Sequence, residues 1–253
     1  MAIRILLFFN LIAHISCAQS GVITIRPLIG LQMPFAKNVI NELRSAKLVN
    51  NSIWFTAGYG ISLEWVRENK IGFFVSYGNG DAGYSMGVIH KKKCNNYNSF
   101  YSDEFTAGTA NEKRLITGII FQTSTGKKNK TFYIKTSIQP GLGIDFNSNE
   151  DLNSGRFQII RINRCGEEYY LKDTAYDRRK IGLVLPVQIN FNSFFHKKPS
   201  FTISLFYHVG LSRHYTVDID YTTSSYIDKT RFLIKGSSLG FRLSYPIRLI
   251  QLK

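Results

Sequence analysis

Hydrophobic and polar residues alternate with a period of two along most of the chain. Between Phe201 and Leu211, for example, every odd-numbered residue is apolar or aromatic. Alternation over this length is typical of β-strands that have one apolar and one polar face. The clearest predicted strands are 54–65, 131–146, 181–193, 201–212 and 237–249, and weaker ones are 22–33, 71–77 and 115–124.

Two features leave details of the strand pattern open. Segment 84–89 either continues the strand at 71–77 through a bulge or folds back at Asn79-Gly80, a favourable hairpin sequence, so the strand count is either eight or ten. Pro140, Pro186 and Pro246 lie inside strand patterns. Because proline removes a donor from the sheet, these positions indicate bulges or strand ends.

The connections between the predicted strands alternate in length. Three are short (66–69, 125–130 and 194–199), and four are long (34–53, 90–114, 147–179 and 213–236). Within the first long connection, 38–48 is expected to form a short amphipathic helix. Alternating short turns and long loops predict an eight-stranded up-and-down barrel, as in outer-membrane proteins.

Composition and charge change this picture in one respect. The chain has 253 residues, with 44% hydrophobic and 14% aromatic residues, which excludes a disordered protein, and its formal net charge is +15. Charged residues are rare in the predicted strands, and all of them lie on the polar face: Arg26, Glu64, Lys135, Asp145, Arg242 and Arg248. A charge-free apolar face favours a barrel whose outside contacts lipid. A secreted, soluble, lipocalin-like barrel that binds a hydrophobic ligand remains an alternative.

This pattern resembles the small eight-stranded outer-membrane β-barrels of Gram-negative bacteria, the OmpA/OmpX-like membrane domain. The resemblance covers residues 21–249. It implies an all-β, antiparallel, up-and-down transmembrane barrel over residues 19–253, located in the cell outer membrane. We also expect contact with outer-membrane lipid and lipopolysaccharide, and a monomeric or weakly associated state. The chain departs from the family at its end, where Lys253 stands in place of the usual aromatic residue.

The first 18 residues have the composition of a secretory signal peptide. Arg4 precedes an apolar run at 5–15, and Ser16-Cys17-Ala18 gives a small-residue cleavage site after Ala18. Lipidation of Cys17 is an alternative. Cys94 and Cys165 would remain in the secreted chain, either as a disulfide or as two free thiols.

Three charges on the polar face fall near the short-turn end of their strands. These are Arg26, Glu64 and Arg248. In a closed barrel, the first strand lies between the second and the eighth. We therefore predict a lumen charge cluster in which Glu64 lies between the two arginines.

Two aromatic residues mark the expected membrane boundaries. Phe55 and Trp65 lie on the apolar face ten residues apart. At about 3.3 Å per residue and a tilt near 40°, they are separated by roughly 25 Å along the membrane normal. Phe55 and Trp65 are therefore predicted to be lipid-interface aromatics.

Basic residues flank the long-loop ends of the strands. We predict contact with lipopolysaccharide phosphates for Lys91, Lys92, Lys93, Arg178 and Arg179. A high positive charge also suggests nucleic-acid binding, but a secretory signal and a lipid-facing surface argue against that partner.

Residues for catalysis are sparse. His208 shares its strand face with Ser204 and Ser212, and His214, Asp218 and Asp220 follow, so a Ser-His-Asp set is conceivable. No metal-binding or nucleophile motif occurs, and no cofactor or metal site is expected. We therefore predict a non-enzymatic barrel that presents long loops to an unidentified protein partner or serves a transport or assembly system. A lipid-modifying barrel enzyme is the alternative, and eight strands leave too narrow a lumen for a general porin.

Overall fold

The computed structural model describes residues 21–42, 46–49, 55–67, 70–90, 102–123, 131–147, 157–162, 168–176, 179–196, 198–223 and 227–252. The chain is all-β. Its strands are β1 (Gly21–Glu42), β2 (Ala46–Val49), β3 (Thr56–Arg67), β4 (Ile71–His90), β5 (Ser102–Gln122), β6 (Phe132–Asn147), β7 (Phe157–Ile162), β8 (Glu168–Tyr176), β9 (Ile181–Phe195), β10 (Lys198–Gly210), β11 (Tyr215–Thr223), β12 (Ile227–Ser244) and β13 (Ile247–Leu252). No helix long and apolar enough to cross a membrane occurs in this part of the chain. The predicted signal peptide and all three cysteines lie outside the described residues.

Eight antiparallel strands close into a barrel. The order is β1-β3-β4-β5-β6-β9-β10-β12, and β12 pairs back onto β1. In this closing pair, Leu28 lies opposite Ser244 and Gln32 opposite Gly240. After a break at Tyr245 and Pro246, β13 pairs with the start of β1. The predicted eight-stranded up-and-down barrel is confirmed.

The barrel wall continues beyond the eight-stranded ring at one end. After a break at 211–214, β11 takes the place of β10 beside β12, and β8 pairs with β11 as β9 pairs with β10. β7 then pairs with β8. We call this additional sheet, formed by β7, β8, β11 and the first half of β12, the extension. The long connections predicted at 147–179 and 213–236 are therefore largely β-structure, which corrects the sequence interpretation.

The other two long connections are also shorter than predicted. β1 runs to Glu42 and β2 covers Ala46–Val49, so the amphipathic helix predicted at 38–48 is wrong. β4 continues to His90 with a register shift between Gly83 and Tyr84, so the bulge alternative was correct and the Asn79-Gly80 hairpin was not.

Side chains on the two faces of the barrel wall differ in polarity. On β10, the outward residues Phe201, Ile203, Leu205, Tyr207 and Val209 are all exposed. The inward residues Thr202, Ser204 and His208 are almost completely buried. The same arrangement of exposed apolar residues recurs around the ring, on β3, β9 and β12. This inverts the distribution of a soluble barrel, because the apolar side chains face outwards.

The polarity reverses in the extension. There the buried side chains on β11 and β12 are mostly apolar or aromatic: Tyr215, Val217, Ile219, Tyr221, Phe232 and Ile234. The opposite face of β11 carries Asp218 and Asp220, which pair in register with Arg231 and Lys229 of β12. The extension therefore has the polarity of a water-exposed sheet over its own apolar core.

Candidate functional site: the barrel lumen

A cluster of buried charges lies where the barrel meets the extension, and we call it the rim cluster. Its centre is Arg114 on β5, whose Nε and Nη2 both donate to the carboxylate of Asp145 on β6 (Nη2 to Oδ2, 2.8 Å). Nη2 also donates to Glu112 Oε2 at 3.2 Å and to the Gly236 carbonyl at 3.0 Å. Paired donation from one guanidinium to one carboxylate is the strongest form of protein ion pair.

Two histidines complete the rim cluster. Nη1 of Arg114 donates to Nδ1 of His208, so that nitrogen is an unprotonated acceptor, because a guanidinium has only donors. His214 lies between the two acids, with Nδ1 3.1 Å from Glu112 Oε1 and Nε2 3.5 Å from Asp145 Oδ2. His214 lies beyond the apolar band, the belt of exposed apolar residues on the outer wall. Its carbonyl accepts a hydrogen bond from the amide of Arg179, which precedes Ile181, the first exposed apolar residue of β9. Burial lowers the pKa of His214 below its ordinary value.

Two glycines leave room for this cluster. Gly236 has a positive φ of 72°, and a Cβ there would lie 2.7 Å from Asp145 Oδ2. A Cβ at Gly182 would lie 2.3 Å from His214 Nε2. Any other residue at either position would displace a member of the rim cluster.

The acids and His214 are residue types that also bind metals. One candidate ligand atom from each of Glu112, Asp145 and His214 lies within 4.8 Å of the others. Arg114 already forms an ion pair with each of the two carboxylates. We therefore interpret the rim cluster as an ion-pair network that joins β5, β6, β10 and β12.

The conceivable Ser-His-Asp set does not assemble. His208 contacts Ser238 Oγ at 3.2 Å and stacks on Phe206, with ring centroids 4.6 Å apart. Ser212 Oγ instead accepts from the Leu183 amide at 2.6 Å. Asp218 lies in the extension, where it is bound to Arg231. His208 is thus a hydrogen-bonded lumen residue.

Nearer the short-turn end, a second network crosses the lumen. Arg26 Nε donates to Glu64 Oε2 at 2.7 Å, and Gln139 Nε2 donates to Glu64 Oε1 at 3.1 Å. Arg248 is exposed on β13, beyond the break at Pro246. The structure therefore brings Arg26 and Glu64 together, but the second partner of Glu64 is Gln139 and not Arg248.

The polar networks inside and the exposed apolar band outside decide the class of barrel. Charged and amide side chains cross the lumen from several strands, and the outer face has exposed aliphatic residues such as Leu183, Leu205 and Leu243. Such a surface requires a lipid environment. The chain is a transmembrane β-barrel of the outer-membrane type. The alternative of a soluble, ligand-binding barrel is inconsistent with this distribution.

Comparison with known proteins adds two distant structural similarities to this barrel. The outer membrane protein OprG from Pseudomonas aeruginosa is 11% identical, with a TM-score of 0.42, and the alignment covers 91% of this chain and 98% of OprG. Ail, the attachment invasion locus protein of Yersinia pestis, solved with the heparin analogue sucrose octasulfate, is also 11% identical. Its TM-score is 0.26, with 88% of this chain and 99% of Ail covered. No family model and no curated protein matches the sequence. The fold assignment rests on the closed ring and its inverted polarity.

The two predicted interface aromatics differ in their surroundings. Phe55, just before β3, is 52% exposed, but Trp65 is only 7% exposed. The Trp65 ring stacks on Phe73 with centroids 5.9 Å apart, and its Nε1 lies against Gly21. Trp65 therefore packs against Phe73 on the outer face of the wall, and its place at the lipid interface stays a prediction.

Most of the basic residues predicted to contact lipopolysaccharide lie outside the described residues, namely Lys91, Lys92, Lys93 and Arg178. Arg179 is exposed, and its amide donates to the His214 carbonyl at 2.7 Å. Arg179 is thus joined through its backbone to His214 of the rim cluster. Contact between these residues and lipopolysaccharide stays a prediction.

Proposed function

We propose that this outer-membrane barrel is non-enzymatic and presents the extension outside the cell as a recognition surface. The observation that carries the proposal is the continuation of the wall past the apolar band as a regular sheet. β11 and β12 pair along eight consecutive positions there, from Tyr215–Ile234 to Thr222–Ile227. Ordered strands at this end supply a fixed surface, which suits recognition better than a mobile loop does.

Contacts on the water-exposed face of the extension fix its side chains. Arg231 donates from Nε and Nη2 to the Asp218 carboxylate at 2.6 and 2.9 Å. The hydroxyl of Tyr176 donates to the same carboxylate at 3.2 Å, and the Arg231 guanidinium lies 5.7 Å from the Tyr176 ring centroid. Three strands thus contribute to one polar, partly exposed group that a partner would meet.

The lumen supports a role other than general diffusion. Inward side chains form the Arg26–Glu64 network, the apolar group of Phe74, Ile116 and Ile120, and then the rim cluster. An eight-stranded barrel is just wide enough for side chains to fill it. A transport role would require these groups to move apart.

Labelling of single cysteines tests the orientation. In a chain with Cys94 and Cys165 replaced by serine, we expect a membrane-impermeant maleimide to label Thr222→Cys on intact cells. Lys198→Cys, at the short-turn end, should react only after the outer membrane is permeabilised. Both variants must show the heat-dependent mobility shift of a folded barrel on SDS gels. Labelling of Lys198→Cys alone on intact cells would contradict the proposal.

Electrical recording tests the filled lumen. Because polar and apolar side chains occupy the interior at several levels, we expect the purified barrel in planar bilayers to lack a steady open state as conductive as that of a general porin recorded in parallel. A steady porin-like conductance would show that the lumen is open, and it would favour the transport alternative.

A further inference from the structure

The short-turn end of the barrel opens into a recess that is strongly basic. About 1080 Å³ of space, open to solvent, lies between β1, β3, β6 and β13. The basic residues that line it are Arg26, Arg67, Lys70, Lys135 and Arg248, whereas Glu64 is the acidic residue among its lining. We call this region the basic mouth.

Glu64 does not offset the other cations of the basic mouth. Its two carboxylate oxygens are already bound, one by Arg26 at 2.7 Å and the other by Gln139 at 3.1 Å. Among the described residues, Arg67, Lys70 and Arg248 have no carboxylate within ion-pair distance. Among the described residues that line the opening, several positive charges therefore face a single carboxylate.

The opposite end of the barrel provides the contrast. There Arg114 is matched by Asp145 and Glu112, and Arg231 by Asp218. At the basic mouth, Arg67, Lys70 and Arg248 have no such partner among the described residues, and low-dielectric walls focus the positive field there and attract anions. A set of guanidinium and ammonium groups suits phosphate, because arginine bonds phosphate oxygens in pairs and lysine supplies a point charge.

We propose that the basic mouth binds a soluble, multivalent phosphate compound. The space lies inside the ring of strands and is lined by lumen-facing residues such as Arg26 and Glu64, whereas lipid headgroups surround the outer wall. If the extension lies outside the cell, as the proposed function has it, the basic mouth opens to the periplasm, and only this placement rests on the proposed function. Binding itself depends on the mouth alone, so the two proposals fail separately.

Titration of tripolyphosphate into the refolded full chain tests this proposal. In zwitterionic detergent, calorimetry is expected to show saturable binding that weakens as salt is added. The double variant Lys70→Gln/Arg248→Gln should bind about tenfold or more weakly, since each charged contact contributes a sizeable part of the affinity. Both residues are exposed, and the mobility shift on SDS gels checks that the variant folds.

A matched control separates the mouth from overall charge. The double variant Lys113→Gln/Lys229→Gln also removes two positive charges, but from exposed positions outside the recess. It should change the affinity for tripolyphosphate by no more than about twofold. Equal weakening by both double variants, or no saturable binding, would overturn the proposal.

The source of the phosphate is tested in vesicles. Tripolyphosphate should bind equally well whether the barrel is in phosphatidylcholine alone or in phosphatidylcholine with phosphatidylglycerol. If phosphatidylglycerol displaces tripolyphosphate, and the Lys70→Gln/Arg248→Gln variant abolishes that displacement, the ligand is a lipid headgroup and the soluble-ligand proposal is wrong.

Discussion

Replacing Arg114 by methionine is expected to destabilise the barrel by about 3–5 kcal/mol, because the change leaves buried carboxylates without their counter-ion. Asp145 would lose both of its bonds to the guanidinium, and Glu112 would lose its bond at 3.2 Å. Asp145 is fully buried, so water cannot replace the missing donors. Urea titration in phospholipid vesicles, followed by tryptophan fluorescence, measures the change in unfolding free energy.

The neighbouring residue supplies a control for this prediction. Lys113 is exposed, and Lys113→Met should change the unfolding free energy by no more than about 0.5 kcal/mol. Adding Asp145→Asn to Arg114→Met should recover part of the loss, because one buried charge is then removed. If Arg114→Met costs no more than Lys113→Met, the rim cluster does not hold the barrel together.

Replacing Leu205 by arginine is expected to cost about 2–4 kcal/mol, the penalty of a cationic side chain near the middle of the bilayer on the lipid face. Leu205 is 49% exposed and lies in the middle of the apolar run on β10, between Ile203 and Tyr207. Its neighbour Ser204 points inwards and is 1% exposed. The same urea titration gives the magnitude.

Thr222→Arg is the matched control for Leu205→Arg. Thr222 is partly exposed at the end of β11, in the extension and beyond the apolar band, so its replacement should cost no more than about 0.5 kcal/mol. Equal costs at the two positions would mean that the Leu205 face does not contact lipid. The inverted-barrel assignment would then be wrong.

The sequence predicts the ring of eight strands because each membrane strand obeys two constraints at once. The outer face must be apolar for lipid, and charges are confined to the lumen face, as Glu64 and Asp145 are. These constraints produce strict alternation that can be read directly. The break before β13 also follows from the sequence, since Pro246 lies at that point.

The extension was missed because its strands face water on one side. In β11, Val217, Ile219 and Tyr221 alternate with polar residues, two of which are Asp218 and Asp220. The alternation was therefore present, but the acids and short strands gave the segment the composition of a loop. The partner of β11 is β8, which is not its neighbour along the chain, and no local sequence signal specifies that pairing.

The rim cluster depends on register, which the sequence alone does not fix. Arg114 meets Asp145 because the two residues lie directly opposite each other on β5 and β6. A shift of one residue would turn one of the two side chains to the lipid face. The position of Arg248 could not be predicted for the same reason. After the break at Pro246, the register of β13 on β1 is set independently of the register of β12.

Closure of the ring by β1 and β12 has a consequence for the order of assembly. The first barrel strand finds its second neighbour only when the last one is present, as the pairing of Leu28 with Ser244 shows. Such a contact joins residues far apart in the chain, and non-local pairing of this kind slows folding. Hairpins such as β3–β4 can form early from nearby residues, whereas the closing seam must form after synthesis of β12. Until then the hydrogen-bonding edge of β1 that β12 will cover stays open, so the unclosed chain needs protection from aggregation on its way to the membrane.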